Sequence, residues 1–472
     1  MIFHSLDYVV FFVLVLALYW VAPAGWRNLL LVPASLFFYG YVRPWILLPF
    51  AATMLIDYNV ALRIAKRPDH RQWLVAISVI SNLGLLGFFK YANFFVESAG
   101  VLLATLGLPV SGPVLQIVLP AGISFYTFQS IGYVVDVARG HLPACRSFRD
   151  YVLFISFFPQ LVAGPIQRAG AFLWQIQSRR TVSPAQASEA LVLLTWGFFK
   201  KLVIADNVAI TANKVFAMQD PSFAILWTGV FAFCIQIYAD FSAYTDIARG
   251  SARLFGFELA RNFNHPYIAD SPADFWRRWH ITLSTWIRDY LFIPLGGSRR
   301  GAARTAINLT ITFFLTGLWH GASWNFVIWG LYYAALTIIY RMAAAVFPES
   351  WQTIPGSRAA RILLMFVLTN IGWLIFREQD LQQLWRDLTL LPGATPAAEW
   401  KAAAYLSTLT LIFALPLAAH TFWDTVLRPR VERWRSWSRC AWAAETMVAL
   451  GCFAGILLLR SETTQDFIYF QF

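Results

Sequence analysis

With 472 residues, 58% of them hydrophobic and 13% charged, the chain carries about half the roughly 25% charge of a soluble domain. A single soluble core stops growing at roughly 250–300 residues, so the surplus apolar surface must face lipid. The 37 Lys and Arg outnumber the 25 Asp and Glu by 12, but they lie in short loops between apolar runs. There they meet anionic headgroups, as the positive-inside rule describes; membrane lipid is the expected partner, not nucleic acid.

A crossing helix needs about 20 mostly apolar residues, and in lipid each backbone N–H and C=O must be paired internally. The runs lack the alternation of a barrel. Met1–Asp7 has no basic stretch and no small-residue cleavage site follows, so Tyr8–Val21 is expected to remain as the first span. Further runs follow at Leu29–Phe50, Trp73–Phe89, Leu115–Val135, Tyr151–Ala163, Ala190–Ile204, Ile225–Tyr238, Ala306–Leu318, Asn325–Ile339, Ile362–Phe376, Ala402–Ala418 and Thr446–Leu459. The expected fold is all-α, a polytopic bundle of about 10–13 spanning or re-entrant helices. No internal repeat divides it, and residues 1–472 read as one membrane domain. Basic loops stand at Arg63–Arg71, Arg139–Arg149, Arg249–Arg304 and Arg428–Arg439. The spans between them do not come in clearly even numbers, so orientation stays open.

Residues 241–304 interrupt the pattern. Trp276, Trp279, Trp286, Phe275 and Tyr290 stand beside Arg277, Arg278, Arg288, Arg299 and Arg300, a mixture suited to the membrane–water interface. Short amphipathic or re-entrant helices are expected there. Before it, Asp240 and Asp246 flank a Phe-Ser-Ala-Tyr-Thr stretch at a span end. Their expected work is to hold an Arg of the following segment, the alternative being to line an entry to the site.

Two of the seven histidines have a setting that chemistry could use. His320 lies in an apolar run with Trp319, Gly317, Gly321 and Gly330, and with Ser323 and Asn325 nearby. A polar group at membrane depth faces a cavity or a partner. Desolvation favours neutral imidazole, the state in which it accepts a proton from an attacking alcohol; the bland alternative is a bond to a neighbouring helix carbonyl. His280 would share a helix face with Trp276 and Ser284. From there it could orient substrate or support His320, or simply bond a loop. The four cysteines, Cys145, Cys234, Cys440 and Cys452, show neither metal spacing nor a disulfide framework. No metal site is expected, since no two histidines stand at i, i+4 and no carboxylate cluster accompanies them. Phosphate-loop, dinucleotide and nucleophile-elbow motifs are missing too.

Seven stretches in order resemble the membrane-bound O-acyltransferase family, most closely its bacterial branch that includes the alginate O-acetylation membrane protein. They are Leu119–Gln129, Phe157–Arg168, Tyr238–Asp246, Asn262–Tyr267, Phe275–Gly297, Gly317–Asn325 and Phe467–Phe472. The resemblance implies a helical bundle around a central funnel or tunnel, with His320 as the essential base at its narrow part and His280 supporting it. It implies that Tyr469 carries or receives the acyl group, against the plainer reading of the last motif as an interfacial aromatic anchor. Trp319, Ser323, Asn325, Trp276, Arg277, Arg288 and Asp289 are the expected substrate-binding residues. No bound cofactor is implied. Acetyl-CoA is the expected donor, in the cytoplasm, and the chain is expected in the bacterial inner membrane. The expected partners are a periplasmic SGNH-hydrolase-like acetyltransferase and the machinery of polysaccharide synthesis and export. The same family's D-alanyl transfer to teichoic acid is the rival chemistry. A non-enzymatic transporter or flippase is the rival class, disfavoured because charge within the spans looks sparse and it leaves the His320 segment without a role.

Overall fold

The computed structural model describes residues 1–108, 117–346, 356–431 and 438–470, leaving the side chains of 431, 438–445 and 470 undescribed. The Cys440 side chain, the first two residues of the expected Leu115–Val135 span, residues 432–437 of the last basic loop, and Gln471 and Phe472 lie outside the described residues. Every regular element among the described residues is helical. Among the described residues, six helices are long and apolar enough to cross a membrane: Pro44–Lys66, Pro68–Thr105, Phe223–Leu254, Trp324–Val346, Ser357–Arg377 and Ala397–Arg430. Leu6–Val21 and Thr446–Leu459 are shorter apolar helices. The chain is an all-α polytopic membrane protein.

Contacts divide it into two compact units: residues 1–190 with 251–260, and residues 191–250 with 261–472. The first holds α1 (Leu6–Val21), α2 (Arg27–Gly40), α3 (Leu47–Lys66), α4 (Arg71–Thr105), α5 (Ile123–Ala138), α6 (Phe148–Ser156), α7 (Phe158–Leu161) and α8 (Ala169–Gln177). Ser5 caps α1 by accepting from the Tyr8 N–H, which satisfies one of a helix's orphan donors. Between α3 and α4 the buried Asp57 accepts from Ser78 Oγ at 2.5 Å and Asn82 Nδ2 at 2.8 Å. Ser78 and Asn82 stand four residues apart, on one helix face. The expected Tyr151–Ala163 span is instead two short helices, broken at Phe157. Pro159 cannot donate to a continuing helix, and the freed Phe158 N–H donates to Ser35 Oγ at 3.1 Å. Where α5 begins, Gly122 adopts φ +76° and a Cβ there would stand 2.4 Å from the Leu161 carbonyl oxygen.

The second unit holds α10 (Asp206–Phe216), α12 (Pro272–Arg278), α13 (Ile281–Ile287), α14 (Gly301–His320), α15 (Trp324–Val346), α16 (Ser357–Arg377), α17 (Leu381–Thr389), α18 (Ala397–Phe422), α19 (Arg428–Val431) and α20 (Ser438–Leu459). The unit boundaries fall inside α9 (Pro184–Phe199) and α11 (Phe223–Leu254). The segment expected between spans begins later than its composition suggests. Residues 241–254 continue α11, because Asp240 and Asp246 are paired with lysines and so do not end the helix. What remains is broken into the short α12 and α13 and a π-helical turn at Arg288–Phe292.

The glycines around His320 serve backbone packing. A Cβ on Gly317 would come within 2.1 Å of the Phe326 carbonyl oxygen, and one on Gly330 within 2.3 Å of that of Phe313. Helices α14 and α15 therefore touch backbone to backbone, as small residues permit in membranes. Gly330→Leu should force them apart at a cost of at least about 1–3 kcal/mol, read as a lower melting temperature and loss of the monodisperse peak in size exclusion. Ala335→Leu one face away should leave both unchanged.

Candidate active site

His320 is the last residue of α14, and Gly321 follows in extended conformation. Its imidazole is 6% exposed and stands edge-on to three rings: Trp329 at 4.8 Å, Trp319 at 4.9 Å and Phe376 at 5.2 Å between centroids. The Tyr469 ring lies 6.0 Å away. Asn325 donates to the carbonyls of Ile375 and Phe376 at 3.2 and 3.0 Å, which holds the Phe376 wall.

His280 is reached differently from its helical spacing. The helix stops at Arg278, Trp279 is extended, and His280 takes a left-handed conformation, φ 40°. That backbone is uncommon for a residue with a side chain and persists where its surroundings over-determine it. Here Asn262 does so. Its carbonyl accepts from Ile281 N–H at 2.9 Å, its Oδ1 accepts from Thr282 Oγ1 at 2.5 Å, and Asn264 N–H donates to the Arg278 carbonyl. Trp276 and His280 consequently part: Trp276 packs on Phe313, Trp329 and Tyr333, whereas His280 faces Phe241 at 4.8 Å and Trp319 at 6.2 Å. Burial lowers the His280 pKa to about 3, so its ring is neutral at physiological pH.

Tyr469 arrives on a strap held by buried charge. In the π-helical turn Lys200–Ala205, Lys201 contacts Asp206 at 2.8 Å and Asp240 at 3.0 Å, all three side chains about 1% exposed. Its ammonium also donates to the Gln465 carbonyl at 2.8 Å. Asp240 Oδ2 accepts from Ile468 N–H at 2.7 Å, and Ser461 N–H donates to the Leu202 carbonyl. Phe467 stacks on Tyr244 at 4.0 Å, and Tyr469 lies 4.6 Å from Phe241. Asp240 thus holds Lys201 and the strap, not the expected Arg; Asp246 takes Lys200 at 2.7 Å and Arg249 at 3.3 Å. Burial pushes the Tyr469 phenol upward.

The structure therefore gathers His320, His280, Trp319 and Tyr469 in one aromatic cluster. Trp276 touches it through Trp329. Ser323 precedes α15, its carbonyl accepting from Phe326 N–H. Arg277 pairs with Asp274, Arg288 with Asp289, and both guanidinium groups face outward, 72% and 59% exposed. Lys201 and Asp206 escape a reading of the sequence, and Asn262 enters it only as part of the Asn262–Tyr267 stretch, with no role; for the first two, adjacent lysines in the apolar Ala190–Ile204 run are the available signal. A group with metal-ligand spacing escapes it as well: ligand atoms of His265, His420 and Asp424 all lie within 4.8 Å of one another. The i, i+4 partner of His420 is a carboxylate, and His265 comes from a distant loop.

Residues 138–376 match the family model described as "MBOAT, membrane-bound O-acyltransferase family". The chain is 42% identical over 391 residues to "Probable alginate O-acetylase AlgI" of Azotobacter vinelandii, covering 82% of this chain and 77% of that relative. The chain belongs to the membrane-bound O-acyltransferase family. It is also 31% identical to "Peptidoglycan O-acetyltransferase" of Helicobacter pylori, over 94% of this chain and 91% of the relative. "Teichoic acid D-alanyltransferase" of Bacillus subtilis is 29% identical over 284 residues, 54% of this chain and 68% of the relative. The protein is accordingly a multi-pass membrane O-acyltransferase. The matched family stretch contains His280, His320, Lys201 and Asp240, while the Tyr469 strap lies beyond it.

Lys201→Met would leave two buried carboxylates without their shared cation, a loss of about 3–5 kcal/mol. The expected result is a lower melting temperature together with faster tryptic cleavage after the exposed Arg460, as the strap loosens. Unchanged cleavage would mean that Lys201 does not hold the strap.

Proposed function

We propose that this acyltransferase takes acetyl from cytoplasmic acetyl-CoA and passes it across the bacterial inner membrane for O-acetylation of an exported or cell-wall polysaccharide. The observation that carries the proposal is the docking of Tyr469 beside His320 by a strap whose position buried charge determines. His320 is the base. It removes the proton of an attacking hydroxyl, the oxygen adds to the thioester carbonyl, and the carbon–sulfur bond breaks. The same imidazole then returns the proton to the leaving thiolate and ends neutral. The surrounding Trp319, Trp329 and Phe376 rings keep water from competing for the acyl group.

Tyr469 is the first acceptor in this reading. Its phenol, pushed upward by burial, holds its proton until a base takes it, which makes transfer dependent on His320. His280, neutral and fixed by the Asn262 bridge, orients substrate rather than supplying charge. Trp319, Ser323, Asn325 and Trp276 line or brace the reaction space, and the outward-facing Arg277 and Arg288, the latter paired with the half-buried Asp289, meet a substrate or partner before it enters. A periplasmic SGNH-hydrolase-like acetyltransferase, working with the polysaccharide machinery, receives the acetyl group and places it on the polymer. Acetyl is preferred to D-alanyl because the alginate and peptidoglycan relatives share more of this chain than the teichoic acid one.

His320→Ala should lower acetylation of the exported polymer by about 10²–10⁴-fold with normal protein level and membrane insertion. Retained acetylation would reject His320 as the base. Tyr469→Phe keeps the ring and removes only its oxygen. Radiolabel from acetyl-CoA should then no longer be trapped on the protein, and full polymer acetylation in this variant would reject the relay.

A further inference from the structure

On the face of α11 turned away from the strap lies a cavity of about 160 Å³, within the second unit. Tyr238, Ser242, Thr245, Asp246 and Arg249 of α11 form one wall, and Arg261 to His265 form another. Lys200, Trp196, His420, Asp424 and Arg428 line it too, beside the apolar Leu193 and Leu417. Two of its walls contain π-helical turns, Lys200–Ala205 and Trp423–Leu427, and His265 sits at φ 47°. Departures of this kind concentrate at functional sites. Consecutive lysines thus serve separate places: Lys201 holds the strap, and Lys200 floors this cavity.

Its charge selects the ligand. Four cations, Lys200, Arg249, Arg261 and Arg428, face two carboxylates, Asp246 and Asp424. Asp246 is already engaged by Lys200 at 2.7 Å and Arg249 at 3.3 Å. Asp424 is engaged by His265 at 3.2 Å and His420 at 3.6 Å, with Arg428 at 3.9 Å. A surplus of two positive charges remains before either histidine is protonated. The His265–His420–Asp424 group has ligand spacing, but a divalent cation there would sit among these cations. An oxyanion would meet guanidinium forks, an ammonium, the Thr245 hydroxyl and the Asn264 amide, the donor set that phosphate oxygens take.

We propose that this cavity binds a phosphate ester, separately from the acyl chemistry at His320. The cations run from exposed Arg261 and Arg428 to buried Lys200 and Arg249, so an anion is drawn from rim to floor. The Arg261–Asn264 wall is the one whose backbone brackets His280, and a bound phosphate would therefore brace that residue too. Soluble nucleotides and lipid headgroups both carry such a phosphate, and the two sources are separable.

The full chain, purified in detergent, is titrated with adenosine 3′,5′-bisphosphate, and in nanodiscs phosphatidylglycerol is compared with a neutral glycolipid matrix. Zn²⁺ alone is titrated in parallel. Saturable binding of at least one phosphate probe is expected, weakened about ten- to a hundredfold in Arg249→Gln. Bisphosphate binding identifies a soluble ligand, and phosphatidylglycerol binding a headgroup. Should Arg249→Gln aggregate, the exposed pair Arg261→Gln and Arg428→Gln carries the test, with a smaller loss. Binding of neither phosphate probe, binding unchanged in the folded variants, or binding of Zn²⁺ alone would overturn the proposal.

Discussion

Lys201 sits between Asp206 and Asp240 where water does not reach, and each of the three would be costly to bury alone. Their mutual contacts at 2.8 and 3.0 Å make the arrangement tolerable, and its remaining hydrogen-bonding capacity goes to main-chain atoms far along the sequence. The Gln465 carbonyl takes one ammonium proton and Asp240 takes the Ile468 N–H. Removing any member strands the others. The position of Tyr469, a ring packed among other rings, is thereby set by electrostatics at Lys201.

The cluster around His320 depends on three different ways of fixing a side chain. His320 is fixed by packing, at the end of a helix whose glycines bring α14 and α15 into backbone contact. His280 is fixed by hydrogen bonding, through an amide at Asn262 that holds a left-handed residue. Tyr469 is fixed by buried charge. Each of the three also needs partners distant in sequence, Phe376 for His320, Asn262 for His280 and Lys201 for Tyr469, so the cluster is assembled by the folded second unit.

Much of this is legible in the chain itself. The apolar runs mark the helices because lipid forbids unpaired backbone, and His320 is conspicuous as a polar residue among Leu, Trp and Gly. Helix ends are less visible. The α11 helix runs on through Asp240 and Asp246, because partners elsewhere neutralise charges that read locally as a boundary. His280 departs from the helical backbone its spacing predicts for a similar reason: nothing in Phe275–Tyr290 announces that Asn262 will break the helix after Arg278. The group at His265, His420 and Asp424 is invisible because its members are far apart in sequence, and spacing rules see only near neighbours. The charge in the spans also looks sparse when counted residue by residue, yet Lys200, Lys201, Asp206, Asp240 and Asp246 are concentrated in one region.

The strap has a consequence for how the protein is made. Chains emerge from the ribosome in order, and earlier segments fold first. His280 and His320 are therefore already in the bilayer while Tyr469 is still unsynthesised, and Lys201, Asp206 and Asp240 must wait together for the residues that complete their hydrogen bonding. During that interval the histidines have no phenol beside them, and the ring cluster around His320 stays open on that side. Translation itself sets the moment at which the cluster closes.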